Sequence, residues 1–192
     1  MAVLLGTRGI RKSGGRQPLT TQPHAPEPVC LGEGMDNLDS DALAYIAITR
    51  LQNEYADVVS RRAWDEVDDL FTAGSNVRLN LAPAPPLDYP GRGGIGPFIA
   101  KSIERFEFFQ FVILNATVRV LDENSATGRM YMSELRQDAT SGGWSTIHGI
   151  YHDTFARDGG DGKWRFADRQ YQSLRRSSGQ LIPFPAAHEG PL

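Results

Sequence analysis

The sequence predicts an α+β domain in which helices cover one face of a mainly antiparallel sheet. Apolar residues recur at helical spacing in the first ordered segment, and the period changes to two in the second half. Short polar turns separate the four long alternating segments, which is typical of an antiparallel meander. Such a sheet must bury one face, and the predicted helices are the only elements that could cover it.

Three segments show helical periodicity. The first helix is predicted from Asp41 to Arg61, after an N-cap at Asp39 or Ser40. A short second helix begins near Trp64, and a third begins near Gly94 with its apolar residues on one face. These helices would supply the apolar stripes that face the sheet.

Alternating residues predict five strands. A short strand at 77–81 is followed by a proline-rich stretch at 82–94, which is predicted to be a loop. The four long strands are predicted over residues 109–121, 126–138, 144–157 and 163–174. Polar, glycine-containing turns join them in sequence order.

Composition limits the function classes. The 192 residues suffice for one domain, and a net charge of −3 argues against a nucleic-acid partner. No apolar run is long enough to predict a membrane helix. The single cysteine, Cys30, excludes an internal disulfide and a multi-cysteine metal site, and it favours a cytoplasmic location.

The two ends differ in composition from the middle of the chain. Residues 1–38 are predicted to be a disordered extension, because their Pro-, Gly- and Thr-rich part cannot bury a core. A transit peptide is a less favoured interpretation, since no amphipathic period is present, and Met35 is a candidate alternative start. The folded domain is predicted over 39–176, followed by a C-terminal tail at 177–192.

Four short motifs occur in a definite order along the chain. They are Tyr55-Ala56-Asp57 with Trp64-Asp65 and Leu70-Phe71; Gly94 with Ile95 and Phe98; Asn115 to Val120 before an acidic turn; and Gly149-x-Tyr151-x-Asp153 before Trp164-Arg165-Phe166 and Arg169. From Asp41 to Leu174, their order and spacing resemble the SnoaL-like branch of the nuclear transport factor 2-like superfamily, which includes scytalone dehydratase.

The resemblance implies a cone-shaped α+β barrel, with a curved antiparallel or mixed sheet wrapped around three N-terminal helices. In this superfamily the cone holds a small hydrophobic molecule, and homodimers are common. The fold alone does not fix a function, because it carries dehydratases, cyclases, isomerases and binding proteins.

Successive side chains of a strand point to opposite faces of the sheet, so odd- and even-numbered candidate residues of one strand lie on different faces. The resemblance places the face with Tyr151 and Asp153 inside the cone. His148 and His152 then lie on the outer face, so His148 is a less favoured candidate for the general base. On the preceding strand, Glu134 and Arg136 share one face.

The chain departs from the scytalone dehydratase pattern at its catalytic positions. Arg136 and Phe111 stand where that enzyme has histidines, and Glu54 stands where it has the supporting aspartate. Many relatives also carry an aspartate where this chain has Ser60. The scytalone dehydratase mechanism therefore cannot be transferred unchanged.

The remaining candidates combine carboxylates, one cation and tyrosines. We expect the site residues to be Asp153, Tyr151, Arg136, Glu54, Tyr55 and Glu134, with His148 as the alternative base. Asp153 is expected to be the general base beside Arg136, with Tyr151 donating to a substrate carbonyl. The competing interpretation is a buried ion pair among Glu54, Glu134 and Arg136, with Tyr151 only packing.

Two further patterns do not predict sites. The stretch Gly91-Arg92-Gly93-Gly94 lacks the preceding strand and the Lys-Ser/Thr of a phosphate loop. His148 and His152 would lie about 13 Å apart on a strand, so they cannot share a metal. We therefore expect neither a metal nor a cofactor.

Three functions fit these observations. The first is a cofactor-free acid–base enzyme, such as a dehydratase, cyclase or isomerase, acting on a hydrophobic carbonyl compound such as a polyketide or steroid. The second is a binding module without chemistry, and the third is an accessory subunit. A homodimer is expected through the outer sheet face, which carries Trp144, Ile150 and the two histidines.

Overall fold

The computed structural model describes residues 32–81 and 83–176, which form three α-helices and six strands. The helices are α1 (Gly32–Arg61), α2 (Trp64–Val67) and α3 (Gly96–Ile103). The strands are β1 (Phe71–Asn80), β2 (Leu87–Pro90), β3 (Phe106–Val120), β4 (Ser125–Asp138), β5 (Trp144–Arg157) and β6 (Trp164–Arg176). The predictions for residues 1–31 and 177–192 concern segments outside the described part.

The six strands form one mixed sheet in the order β2-β1-β6-β5-β4-β3. Strands β3 to β6 pair antiparallel in sequence order, which confirms the predicted meander. β1 pairs parallel to β6 and antiparallel to β2. The sheet is curved but does not close, so β2 and β3 are its two edges.

Helix α1 packs its apolar stripe on the inner face of the sheet, mainly against β3. Ile48, Leu51, Tyr55 and Val58 recur every three or four residues and are almost fully buried, as the sequence predicts. At the end of the helix, the Phe111 N–H donates to Ser60 Oγ at 2.9 Å. This bond ties α1 to β3 at the position where many relatives carry an aspartate.

Several predicted boundaries are wrong. α1 begins at Gly32 rather than Asp41, so residues 32–38 are helical and do not belong to the predicted disordered extension. The first strand begins at Phe71 rather than 77, and the proline-rich stretch contains β2. β2 tolerates Pro90 because it pairs with β1 on one side only, and an edge strand can lack a donor.

Strand β6 contains two irregularities that change which side chains face inward. Thr154 pairs with Asp168 but Phe155 pairs with Phe166, so Ala167 is an extra residue in β6. A second shift leaves Leu174 without a partner between the pairs of His148 and Gly149. The buried residues of β6 are therefore Trp164, Phe166, Arg169, Tyr171 and Ser173.

The outer sheet face differs from its prediction. Ile150 is completely buried, so it is not part of an exposed apolar surface. On β3 and β5 the exposed aromatic side chains are those of Trp144 and Phe108, at 62% and 40% exposure, and their ring centroids lie 5.4 Å apart. Leu114, in the middle of β3, is also exposed, at 57%.

Among the described residues, no helix has both the length and the apolar character needed to cross a bilayer.

Candidate functional site

A cavity of about 180 Å³ lies between α3 and the inner face of the sheet. Most of its wall is apolar and comes from β1, α3 and their flanking residues. The apolar lining residues are Val77, Leu79, Leu81, Ile95, Phe98, Ile99, Ile103 and Ile147. The polar lining residues are Tyr55, Ser102, Glu134, Arg136, Tyr151 and Tyr171. A mostly apolar wall with a few polar groups is typical of small-molecule sites.

One part of the cavity wall carries a carboxylate and a guanidinium. Glu134 Oε2 lies 3.6 Å from Arg136 Nη1, and both side chains keep some exposure, at 20% and 15%. Their positions two apart on β4 turn both toward the cavity, which confirms the predicted parity. The Arg136 guanidinium also lies 4.8 Å above the Phe106 ring. We call this pair the open pair.

Three tyrosines form another part of the wall. A side-chain hydrogen bond joins Tyr55 of α1 to Tyr151 of β5, and the Tyr151 and Tyr171 ring centroids are 5.0 Å apart. Burial raises the pKa of Tyr55 above 10 and that of Tyr151 well above it, although Arg169 opposes both shifts. Both hydroxyls therefore stay protonated at neutral pH, and because one of them donates to the other, one hydroxyl of the two remains free to donate to a ligand.

Tyr171 can occupy its place because residue 149 is glycine. A Cβ at Gly149 would lie 2.3 Å from Tyr171 Cε2, which no side chain could tolerate without movement of the ring. The glycine of the Gly-x-Tyr-x-Asp motif thus makes room for a tyrosine from the neighbouring strand.

Next to the tyrosines is a second ion pair, which has no solvent exposure. Arg169 donates from Nε to Asp153 Oδ1 at 2.8 Å and from Nη2 to Asp153 Oδ2 at 3.0 Å. Both side chains are 0% exposed, and neither lines the cavity. Burial raises the pKa of Asp153 above its ordinary value, although the charge and hydrogen bonds of Arg169 oppose the rise. We call this pair the closed pair.

The expected position of Asp153 beside Arg136 is wrong. Asp153 is opposite Gly128 on β4, whereas Arg136 lies eight residues further along that strand, opposite Ser145. At about 3.3 Å per residue the two Cα atoms are roughly 26 Å apart. Asp153 does face the interior, but its partner is Arg169.

Two other candidates lie away from the cavity. Glu54 is exposed on α1, because it is one residue from Tyr55 and each residue turns a helix by about 100°. The prediction that Glu54 lies inside is therefore wrong. His148 is half-buried and is not among the residues that line the cavity, in agreement with the parity argument.

Arg169 is the residue that sequence reasoning missed. Simple alternation from the buried Phe166 would turn Asp168 inward and Arg169 outward. The extra residue Ala167 reverses this order, so Arg169 is buried and Asp168 is exposed. The short turn between β5 and β6 could have indicated this partner in the sequence. Counting residues back from the turn along both strands places Arg169 within one residue of the position opposite Asp153.

The glycine-rich stretch and the histidines were the other two patterns considered in the sequence. The Gly93 N–H donates to Asp68 Oδ1 at 2.8 Å, so this amide of the glycine-rich stretch already has an acceptor within the protein. Within residues 32–81 and 83–176, no group of three or more His, Cys, Asp or Glu side chains could hold a metal ion.

The cavity groups can support proton transfer. The Glu134 carboxylate can accept a proton, Arg136 can orient that carboxylate, and the tyrosine hydroxyls can donate to an oxygen that gains negative charge. Glu134 pairs with Ile147, and Tyr151 pairs with Met130, so the carboxylate and the tyrosine are four residues apart along β4. That is about 13 Å between backbones, which leaves space for a small molecule between the side chains.

A family model described as a SnoaL-like domain matches residues 40–170. No curated protein sequence matches the chain.

Solved structures share the fold at low sequence identity. A protein assigned provisionally as a scytalone dehydratase, from Novosphingobium aromaticivorans, superposes with a TM-score of 0.65 and 17% identity, over 80% of this chain and 99% of that one. Hexachlorocyclohexane dehydrochlorinase LinA-type3 from Novosphingobium barchaimii gives a TM-score of 0.62 and 15% identity, over 79% and 99% of the two chains. At these identities the likeness shows the fold.

Proposed function

This chain belongs to the family of SnoaL-like domains, and from that premise we propose that it is a small-molecule pocket protein acting as a cofactor-free acid–base enzyme. The observation that carries the proposal is the open pair, Glu134 and Arg136, in an otherwise mostly apolar cavity that also contains tyrosine donors. Two structural neighbours are named for elimination reactions, which fits proton abstraction followed by loss of a leaving group.

In the proposed reaction, the Glu134 carboxylate removes a proton from the carbon next to a substrate carbonyl. The electron pair of that C–H bond moves toward the carbonyl oxygen, which accepts hydrogen bonds from Tyr55 or Tyr151. Return of the proton at another carbon gives an isomerisation. Alternatively, the electron pair returns and expels a hydroxyl, which takes from Glu134 the proton removed in the first step and leaves as water, giving a dehydration. Arg136 positions Glu134 throughout.

The roles of the predicted residues change accordingly. Glu134 replaces Asp153 as the proposed base, because Asp153 is completely buried in the closed pair. Tyr151, Tyr55 and Arg136 keep their proposed roles at the cavity. His148 and Glu54 have no role in this scheme, since neither lines the cavity.

The cavity volume narrows the substrate class. A cavity of about 150 Å³ is known to hold benzene, and this one measures about 180 Å³. A one-ring carbonyl compound fits this space, whereas the four fused rings of a steroid exceed it. We therefore propose a one-ring substrate rather than a steroid or a multi-ring polyketide.

The second candidate function is a binding module. Its supporting observation is that both histidine positions of the scytalone dehydratase pattern hold other residues here, Phe111 and Arg136. Phe111 packs against Tyr55 with ring centroids 5.6 Å apart, so it contributes to the core. A binding module would use the same cavity without proton transfer.

Deuterium exchange distinguishes the two functions. One-ring ketones and a steroid ketone are first ranked by the thermal shift they cause, and each ligand that binds is then incubated in D₂O with the protein. An enzyme should catalyse the incorporation of deuterium at the carbon next to the carbonyl, even when no net reaction occurs. NMR of the ligand detects this incorporation. Glu134→Gln should slow this exchange about 10²–10⁴-fold, while the exposed control Glu54→Gln should not.

Binding of one-ring ketones without any catalysed exchange would reject the enzyme and support the binding module. Preferential binding of the steroid ketone would reject the size limit, while leaving the proposed chemistry in place. Equal exchange rates in Glu134→Gln and wild type would reject Glu134 as the base.

We also propose a homodimer that forms through the exposed aromatic pair, Trp144 and Phe108. Light scattering at micromolar concentration should give a dimer mass for wild type and a monomer mass for Trp144→Asp. Leu43→Asp, at a position that is 68% exposed on α1, is the matched control and should remain dimeric. A wild-type monomer would contradict this proposal.

A cytoplasmic location stays a prediction from the single cysteine.

A further inference from the structure

In the closed pair, the Arg169 guanidinium also lies close to three aromatic rings, a contact that a salt bridge with Asp153 does not require. The Arg169 guanidinium carbon lies 4.2 Å from the Tyr55 ring centroid, 4.1 Å from that of Tyr151 and 4.0 Å from that of Phe166. Two of these three rings belong to the tyrosines that line the cavity. The cation therefore contacts the ring faces of the tyrosines whose hydroxyl groups are proposed to donate to the ligand.

Asp153 holds the guanidinium in this position. It takes the two hydrogen bonds from Nε and Nη2, while Arg169 Nη1 is buried and has no hydrogen-bond acceptor in the described part of the chain. Three aromatic rings thus lie within 4.2 Å of the carbon of a guanidinium whose only hydrogen-bond partner in the described residues is Asp153. A desolvated cation over an aromatic face interacts strongly with the ring, because no water screens its charge.

We propose that Arg169 is a positioning residue that acts through Tyr55 and Tyr151, fixing both rings and making their hydroxyls stronger hydrogen-bond donors toward a ligand oxygen in the cavity. A positive charge at the ring face stabilises the electron density that builds up on the phenol oxygen when the hydroxyl donates. Asp153 keeps the cation in place and partly offsets its charge. Direct contact between Arg169 and the ligand is not needed, since Arg169 does not line the cavity.

This inference builds on the proposed cavity site but does not depend on turnover. If the protein only binds its ligand, the tyrosines still donate and Arg169 still acts on them. It can therefore stand when the enzyme proposal fails, and it can fail when that proposal stands. Its test is the ionisation of the tyrosines in the ligand-free protein.

The charged or titratable groups that act on Tyr151 are Tyr55, Arg169, Tyr171 and Glu134. Asp153 acts on Tyr55 in the sense opposite to Arg169. The two members of the closed pair should thus shift tyrosine ionisation in opposite directions. If the variants only disturbed the packing of the core, the pKa of the tyrosine would shift in the same direction in every variant.

The experiment places a fluorinated tyrosine, which ionises at lower pH than tyrosine, at position 151 of the full chain. Its ionisation is followed by ¹⁹F NMR as the pH is raised. Replacing both members of the closed pair, in Arg169→Met with Asp153→Leu, should raise the apparent pKa of the label by about 1. Arg169→Lys keeps a cation and should stay closer to wild type than that double variant.

Asp153→Asn removes only the negative charge and should lower the apparent pKa of the same label placed at position 55, because Asp153 opposes Arg169 there. Fluorotyrosine at Tyr45, which is 46% exposed on α1, is the matched control and should not respond to any of these changes. An unchanged label at position 151 in the double variant would overturn the proposal. If the double variant does not fold, Asp153→Asn decides, and a constant or raised pKa there overturns it.

Discussion

The inner face of the sheet carries two arginine–carboxylate pairs, one with a glutamate and one with an aspartate, that differ in exposure and geometry. In the open pair, Glu134 and Arg136 are 3.6 Å apart, keep some exposure and line a cavity. In the closed pair, Asp153 and Arg169 make two hydrogen bonds of 2.8 and 3.0 Å without any exposure. The contrast shows that facing the interior does not make a charged residue part of a site.

Depth along the strand separates the two pairs. The β4–β5 register places Asp153 opposite Gly128, where the interior is filled by Phe155 and Phe166. Glu134 lies opposite Ile147, where the interior is open. At the filled position both oxygens of the carboxylate are bonded to one arginine, whereas the carboxylate beside the cavity can contact a ligand.

The largest expected effect comes from breaking the closed pair. Arg169→Met leaves the Asp153 carboxylate buried without its partner, so the free energy of unfolding should fall by about 3–5 kcal/mol. Arg136→Met breaks the open pair, in which both side chains keep some exposure. The free energy of unfolding should therefore fall by only about 1 kcal/mol. Urea denaturation of the two variants measures both values, and equal losses would remove the distinction between the pairs.

A smaller effect is expected from changing the wall of the cavity beside the closed pair. Gly149→Ala puts a Cβ against the Tyr171 ring, so this ring must move, and the unfolding free energy should fall by about 1–3 kcal/mol. Gly74→Ala is the control, because nothing lies within 4 Å of the added Cβ. Thermal denaturation should show little change for the control. A Gly149→Ala variant as stable as wild type would mean that Tyr171 yields without cost.

The smallest effect should come from the pair Arg165–Asp161, whose carboxylate is 42% exposed although the arginine side chain is only 11% exposed. Arg165 donates two hydrogen bonds to Asp161, at 2.8 and 2.7 Å, and holds the pKa of Asp161 well below its ordinary value. Stability from this pair is present above the unfolded carboxyl pKa, near 4, and is lost as pH falls toward the lower folded value. Asp161→Asn should lower the melting temperature less than Gly149→Ala does.

The pH dependence of that variant is its sharpest check. The difference in melting temperature between wild type and Asp161→Asn should be constant from pH 7 to about pH 5 and should close below about pH 4. A difference that grows on acidification would contradict the depressed pKa of Asp161.

Sequence periodicity was sufficient for the fold and for part of the site. The change from helical to alternating spacing predicted the meander. Parity grouped the candidate residues by face, and the family resemblance chose the inner face, on which Tyr151, Glu134 and Arg136 line the cavity. Parity gives the face of a residue but not its depth, which is why Asp153 was expected beside Arg136. Depth depends on the register between strands, which a single sequence leaves open.

Two further misses have local causes. The extra residue Ala167 in β6 reverses the parity that follows it, so Arg169 could not be placed by alternation from Phe166. β2 was predicted as part of a loop because prolines surround it, yet an edge strand needs donors on one side only. Both features arise from pairing between strands, not from the residues of one segment.

We expect the open pair to do the chemistry and the closed pair to stabilise the fold. The most direct test measures the deuterium exchange rate of a bound one-ring ketone and the urea unfolding free energy for two variants, Glu134→Gln and Asp153→Asn. Glu134→Gln should lose about 10²–10⁴-fold in exchange with a stability change of about 1 kcal/mol or less. Asp153→Asn should lose about 3–5 kcal/mol of stability while exchange, measured where the variant is folded, stays within about tenfold of wild type. The reverse pattern would contradict the account, because Asp153 would then be the base and Glu134 the structural carboxylate.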